Sequence, residues 1–156
     1  MQLEELASVR TGLVTARKKP KENQRPTKKY SLINLKCINS SGYLNTTVAE
    51  EYLSSEVLKA DFFTQKGDIL VRLSAPYTAV MIKEDSECGY LVPSHFAIIR
   101  VDKAKALSEY VLWFLKREST LQKILQNSSG SSAFGTISSG FLASLKIREI
   151  PIEKQA

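Results

Sequence analysis

Ser94-His95 is the only place in this sequence where a hydroxyl and an imidazole are adjacent, because His95 is the single histidine of 156 residues. A nucleophilic triad needs a base within hydrogen-bond reach of the nucleophile and a third group that orients the base. One histidine leaves very few ways to build that. Cys37 and Cys88 lie 51 positions apart without a CxxC spacing, so they read as reduced core thiols. Two distant thiols and one imidazole do not form a recognisable zinc pattern, and no metal site is expected. The paired carboxylates Glu50 with Glu51 and Asp85 with Glu87 sit in polar stretches and read as solvated charges. Neither GxGxxG nor GxxxxGK[ST] occurs. The expectation is a chain with no catalytic residues and no cofactor.

Charge is the stronger signal. Arg17, Lys18, Lys19, Lys21, Arg25, Lys28 and Lys29 crowd into Ala16–Lys29 against one acid, Glu22. That segment holds the whole formal net charge of +6, and the remaining fifteen bases balance fifteen acids. With Pro20, Pro26 and no apolar periodicity it reads as an exposed loop. Such a loop is either simply solvated or a phosphate-contacting element, since clustered Lys and Arg gain affinity for nucleic acid by releasing counterions. Confinement of the charge to one patch on a neutral body favours the second reading.

These residues need elements to position them. An apolar fraction of 43% argues for a packed core, and the length fits one domain spanning 1–156. No apolar run approaches the roughly 20 residues of a membrane span, and the N-terminus lacks the pattern of a secretion signal. A cytoplasmic location without membrane contact is expected. Leu3–Thr15 reads as a short helix leading into a strand near Gly12. Strands are expected over Lys29–Ile38, at ILVRL after the QKGD turn, at TAVMI and at FAIIRV, with a helical turn in SSEVLKAD capped by Ser54 or Ser55. A long helix runs from Ser108, its expected N-cap, with Val111, Leu112, Phe114, Leu115, Leu121, Ile124 and Leu125 as its buried face. Trp113 reads either as core or as a partner-facing aromatic, and core is favoured. Helices interspersed with irregularly spaced strands point to α+β, a compact domain with a twisted mixed sheet and a few helices. LQNSSGSSAFGTISSGFL (Leu125–Leu142) has five Ser or Gly among its first eight residues, the composition of a linker. FLASL follows it as a short helix capped by Ser138 or Ser139, and KIREI as a final strand ended by Pro151.

Three segments in order, KGDILVRLSAPY, VPSHFAIIRVD, and the long helix followed by FGTISSGFLASLKIREIPIEKQ, resemble a known family. The matching features are Gly67-Asp68-Ile69-Leu70 leading into a strand, Ser94 and His95 before another, Tyr110 to Leu115 in the helix, and Pro151 to Gln155 at the close. Together with the opening LEELASVRTG, they resemble a target-recognition domain of the specificity subunits of type I restriction–modification enzymes. The resemblance implies the fold of DNA methyltransferase target-recognition domains. It makes the Ser/Gly-rich stretch a connection inside the domain, folded back at Phe134. It also implies a long spacer helix after Gln155 and a second such domain, neither of which lies within these 156 residues. Arg72-Leu73-Ser74-Ala75-Pro76 departs from the family's usual turn.

The function implied is sequence-specific binding of double-stranded DNA at one half of a bipartite site. A methyltransferase (modification) subunit would bring S-adenosylmethionine and base methylation, and through it a motor/restriction subunit would bring ATP-driven cleavage. A second specificity domain or a second copy of this chain is a further expected partner. The basic loop would hold phosphates, and Arg72, Ser74, Tyr77, Ser94 and His95 are the candidates for base edges in the major groove. The plain alternatives are an outward strand residue for Arg72 and a hydrogen-bonded structural histidine for His95. A protein–protein adaptor or decoy with the same fold is the competing function. A small nuclease would need clustered carboxylates, which the sequence does not show.

Overall fold

The computed structural model describes residues 1–18, 25, 28–39, 42–131, 136–148 and 150–155, with backbone alone over 128–131. Among the described residues six strands form: β1 (Ala7–Thr11), β2 (Lys28–Leu32), β3 (Glu50–Ser54), β4 (Ile69–Arg72), β5 (Ala79–Met81) and β6 (Phe96–Val101). Strands β1, β6, β4 and β5 make one sheet in that order, and β2 and β3 pair in a second. Among the described residues all strand pairs are antiparallel, and the parallel component is confined to the isolated bridges Leu13–Pro93 and Leu32–Leu91.

The apolar runs ILV and FAII are uninterrupted because the sheet is buried on both faces. Alternation then sorts them. Ile69, Val71, Ala97, Ile99 and Val101 pack with α1 (Ser108–Lys116) and α3 (Ser139–Ser144), against Val111, Phe114, Leu115 and Leu142. Leu70, Val80, Ile82, Phe96 and Ile98 face the other way, onto Ile33, Cys37 and Val92. A third cluster of Leu13, Leu32, Tyr52, Leu58 and Leu91 joins the two-stranded sheet to the rest. Burial of Cys37 pushes its thiol up from the ordinary value, as expected of a core thiol.

Several elements differ from expectation. The strand expected over Lys29–Ile38 stops at Leu32. The Ile33 N–H turns to the Leu91 carbonyl at 2.9 Å, and Asn34 Oδ1 accepts from Lys36 N at 2.9 Å to cap a 3₁₀ turn over Leu35–Cys37. Ser54 caps no helix. It ends β3, and its Oγ donates to the Glu56 carbonyl at 2.6 Å. The long helix is two: α1 ends at Lys116, Arg117 turns extended (φ −63, ψ 141), and α2 (Glu118–Ser131) sets off afresh. The break rotates the second apolar face, so Ile124 is buried while Leu125 is 53% exposed. Trp113, favoured as core, is 55% exposed. Leu107, not Ser108, is the N-cap of α1, and Ser108 Oγ donates to the Gly67 carbonyl at 2.7 Å. In KIREI, Lys146 bridges Gln2, and no strand forms among its described residues; Glu149 lies outside them. Phe134, expected to fold back on the body, lies outside the described residues.

The Gly67-Asp68 pair anchors the sheet. Gly67 takes a positive φ of 91°, which a side chain would strain. Asp68, 1% exposed, accepts from Arg100 Nε at 2.9 Å, from Arg100 Nη2 at 2.8 Å and from Gln65 N at 2.9 Å. These bonds push the Arg100 guanidinium further above its ordinary value, against the opposing effect of desolvation. A two-pronged Arg–carboxylate pair of this kind fixes geometry as well as energy. At the other end of the chain, Gln155 Oε1 accepts from Leu107 N at 2.6 Å, and Gln155 Nε2 donates to the Ile150 carbonyl at 2.8 Å. The closing glutamine thus clamps the start of α1.

Candidate nucleic-acid interface

The four-stranded sheet has two ends. At one end β4 runs out at Arg72, β6 begins at Phe96, and the register pairs those two residues. The loop after β4 and the loop before β6 therefore meet. Leu73 N donates to the His95 carbonyl at 3.0 Å, and Ile137 N to the Leu73 carbonyl at 2.8 Å. The exit of β1 arrives at the same place, with Gly12 N on the Phe96 carbonyl at 2.9 Å and Ser94 N on the Leu13 carbonyl at 2.8 Å. Gly12 is required there: a Cβ would stand 2.1 Å from the Pro93 carbonyl oxygen. Thr11 Oγ1 completes the junction by donating to Ser139 Oγ at 2.9 Å.

Four of the five base-edge candidates gather at this junction. Arg72 is half-buried, and its Nε donates to Ser74 Oγ at 3.1 Å, which holds the guanidinium over the loop. Ser94 is half-buried, and His95 is exposed. Tyr77 is the correction. It is 4% exposed and belongs to the core that includes Phe114 and Leu115. The loop from Ser74 turns back with Tyr77 N on the Ser74 carbonyl at 2.8 Å, and Tyr77 adopts φ 58. The ring then points inward, and it is withdrawn as a base contact.

His95 opens onto a groove of about 710 Å³ walled by the two-stranded sheet and the loop before β6, lined also by Thr15, Asn34, Lys36, Pro93 and Glu50. Tyr52 Oη donates to the Thr15 carbonyl at 2.6 Å and fixes the groove's wall. Sequence reading missed Lys36, which is exposed on this wall about 60 positions from His95. No local spacing could have joined the two.

The basic segment is tethered at both described ends. The Lys18 carbonyl accepts from Ser55 N at 2.7 Å and from Ser55 Oγ at 3.0 Å, and Lys28 and Lys29 lie on β2. Two of its lysines are already paired: Lys18 Nζ with Glu56, and Lys29 Nζ with Glu51 Oε2 at 2.9 Å. Arg17, Arg25 and Lys28 are exposed, with no ion pair among the described residues. Lys19 and Lys21 lie outside the described residues. The two acidic partners were also missed, because Glu51 meets Lys29 through the β2–β3 register and Glu56 meets Lys18 through the Ser55 tether. Among the described residues, no three His, Cys, Asp or Glu side chains come together as a metal site.

The fold and this end of it define a loop-presenting α+β domain, with polar side chains from two loops gathered at one end of the sheet. A family model for the type I restriction modification DNA specificity domain matches residues 1–156, and the chain belongs to that family. The structure is similar to the crystal structure of the HsdS subunit from Thermoanaerobacter tengcongensis, with a TM-score of 0.67 and 15% identity, over 99% of this chain and 38% of that one. It is also similar, at a TM-score of 0.67 and 11% identity, to a chain solved for complex assembly and conformational transition of the type I R-M system. That match covers 92% of this chain and 35% of the other. At such identities the likeness is one of fold. No curated protein matches the sequence.

Proposed function

We propose that residues 1–156 form a single target-recognition domain that binds double-stranded DNA and reads one half of a bipartite site. The observation that carries this reading is the gathering of Arg72, Ser74, Ser94 and His95 at one end of the sheet, where two loops meet. The chain's whole excess of positive charge lies in one segment of sequence, tethered through Lys18 to Ser55 just past β3. Arg17, Lys18, Arg25, Lys28 and Lys29, with Lys19 and Lys21, hold phosphates and set the register on the duplex. Arg72 and His95, with Ser74 and Ser94, supply donors and acceptors to base edges. The domain performs no chemistry. A methyltransferase subunit with S-adenosylmethionine and a motor subunit with ATP act at the address it selects, in the cytoplasm.

Salt dependence tests the phosphate assignment. Phosphate contacts carry no base information, so changing Lys18, Lys19, Lys28 and Lys29 to Ala lowers affinity about equally for all sequences. The slope of log affinity against log salt becomes shallower by about 0.9 for each phosphate that the variant no longer neutralises. Unchanged affinity at low salt refutes the assignment, and salt-insensitive binding to a protein partner in place of DNA indicates an adaptor.

A further inference from the structure

The opposite end of the four-stranded sheet, where β4 begins, β5 ends and β6 ends, carries a second charged feature. Lys66 precedes β4, Lys83 follows β5 and Lys103 follows β6, and all three are exposed on the rim of one groove of about 560 Å³. Its floor is apolar, with Ile82 buried and Leu107 half-buried, and Glu109 is the one acid on the wall. None of the three lysines takes part in an ion pair among the described residues. One helical turn beyond Glu109, on the same side of α1, stands Trp113. Its ring is 55% exposed, stacks at 5.8 Å on Tyr110 and lies 5.1 Å from the Arg117 guanidinium carbon. An exposed Trp flanked by Tyr and Arg has the composition of an interface anchor.

We propose that this groove, continued along α1 to Trp113, docks an acidic peptide segment of a partner protein, with carboxylates on the lysine rim and an apolar side chain on the floor. Charge complementarity selects the occupant's sign, and the recess selects its shape. A duplex presents phosphates on a broad convex rod and would leave an apolar floor unfilled, whereas a peptide side chain enters it. The site lies at the far end of the sheet from Arg72 and His95, so it stays open while DNA is bound. The proposal does not rest on the DNA reading.

The probe is a capped hexapeptide of alternating glutamate and leucine, titrated into the full chain and followed by the fluorescence of Trp113, the only tryptophan. A lysine–leucine hexapeptide serves as the control. The acidic peptide is expected to bind, and K66Q/K83Q/K103Q weakens it about tenfold, as three exposed pairs would. The triple variant, changed only at exposed positions, keeps its affinity for duplex DNA within about twofold. Three outcomes overturn the proposal: no binding of the acidic peptide, equal binding of the basic peptide, or undiminished binding by the triple variant. A parallel loss of DNA affinity in the triple variant also overturns it, and assigns the groove to nucleic acid.

Discussion

Glu51 and Glu56 already occupy two of the lysines assigned to phosphate, and this gives the phosphate assignment a consequence with an unusual sign. Lys29 and Glu51 pair at 2.9 Å with side chains 68% and 56% exposed, and Lys18 pairs with Glu56 at 36% and 54%. Pairs this exposed are worth about 0.2–1 kcal/mol each, after side-chain entropy and water screening have taken their share. A lysine that moves to a phosphate gives up its pair first. Removing both acids as E51Q/E56Q therefore returns roughly 0.4–2 kcal/mol to DNA binding, about a 2- to 30-fold gain in affinity at low salt. The gain shrinks as the Debye length falls from about 30 Å at 0.01 M salt to about 8 Å at 0.15 M. The assay is affinity for one non-specific duplex over that salt range, with Glu4→Gln, an exposed acid preceding β1 at the far end of the sheet, as the control. Binding by E51Q/E56Q that is no tighter than wild type at low salt, or a gain equalled by Glu4→Gln, would falsify the phosphate role of Lys18 and Lys29.

Three further outcomes are expected from the geometry. Asp68→Asn leaves the Arg100 guanidinium without its carboxylate in a mostly buried site and lowers stability by about 3 kcal/mol, read as a shift in the urea midpoint. Leu115→Ala, at 2% exposure, costs roughly 2–5 kcal/mol in the same experiment, and a loss below about 1 kcal/mol contradicts its place in the core. Gly12→Ala forces its new methyl group against the Pro93 carbonyl and displaces the loop carrying Ser94 and His95. Amide chemical shifts over residues 92–96 should move, with sequence discrimination lost before folding is; an undisturbed loop would show that Gly12 does not position it.

Legibility in the sequence followed the range of the interaction. Strands β4 and β6 could be read from ILV and FAII because burial on both faces leaves an apolar run intact, and the α3 cap at Ser138 is a local hydrogen bond, Phe141 N to Ser138 Oγ at 3.0 Å. The basic segment was visible as composition. Tyr77 was misplaced because its direction depends on a positive φ two residues after Ala75, which no apolar pattern encodes. Leu125 was misplaced because one continuous helix was assumed, and the turn at Arg117 re-aims everything after it. Trp113 precedes that turn and was misplaced because it lies on the Glu109 side of α1, outside the buried stripe of Val111, Phe114 and Leu115. Lys36, Glu51 and Glu56 went unnoticed for a third reason: their significance comes from neighbours distant in sequence, brought in by the β2–β3 register, by the Ser55–Lys18 bond and by the groove beside His95.

The central claim is that side chains at the Arg72–His95 end of the sheet read bases. A binding-site selection from random duplex DNA, run with the partner methyltransferase present for wild type, Arg72→Ala and His95→Ala, tests it most directly. A bidentate Arg–guanine contact discriminates by about 1–3 kcal/mol against the wrong base, so Arg72→Ala should flatten preference at one base pair and spare the others. His95→Ala should flatten a neighbouring position. A selected half-site identical in all three proteins, with affinity merely reduced, would contradict the claim and move base reading to another part of the domain.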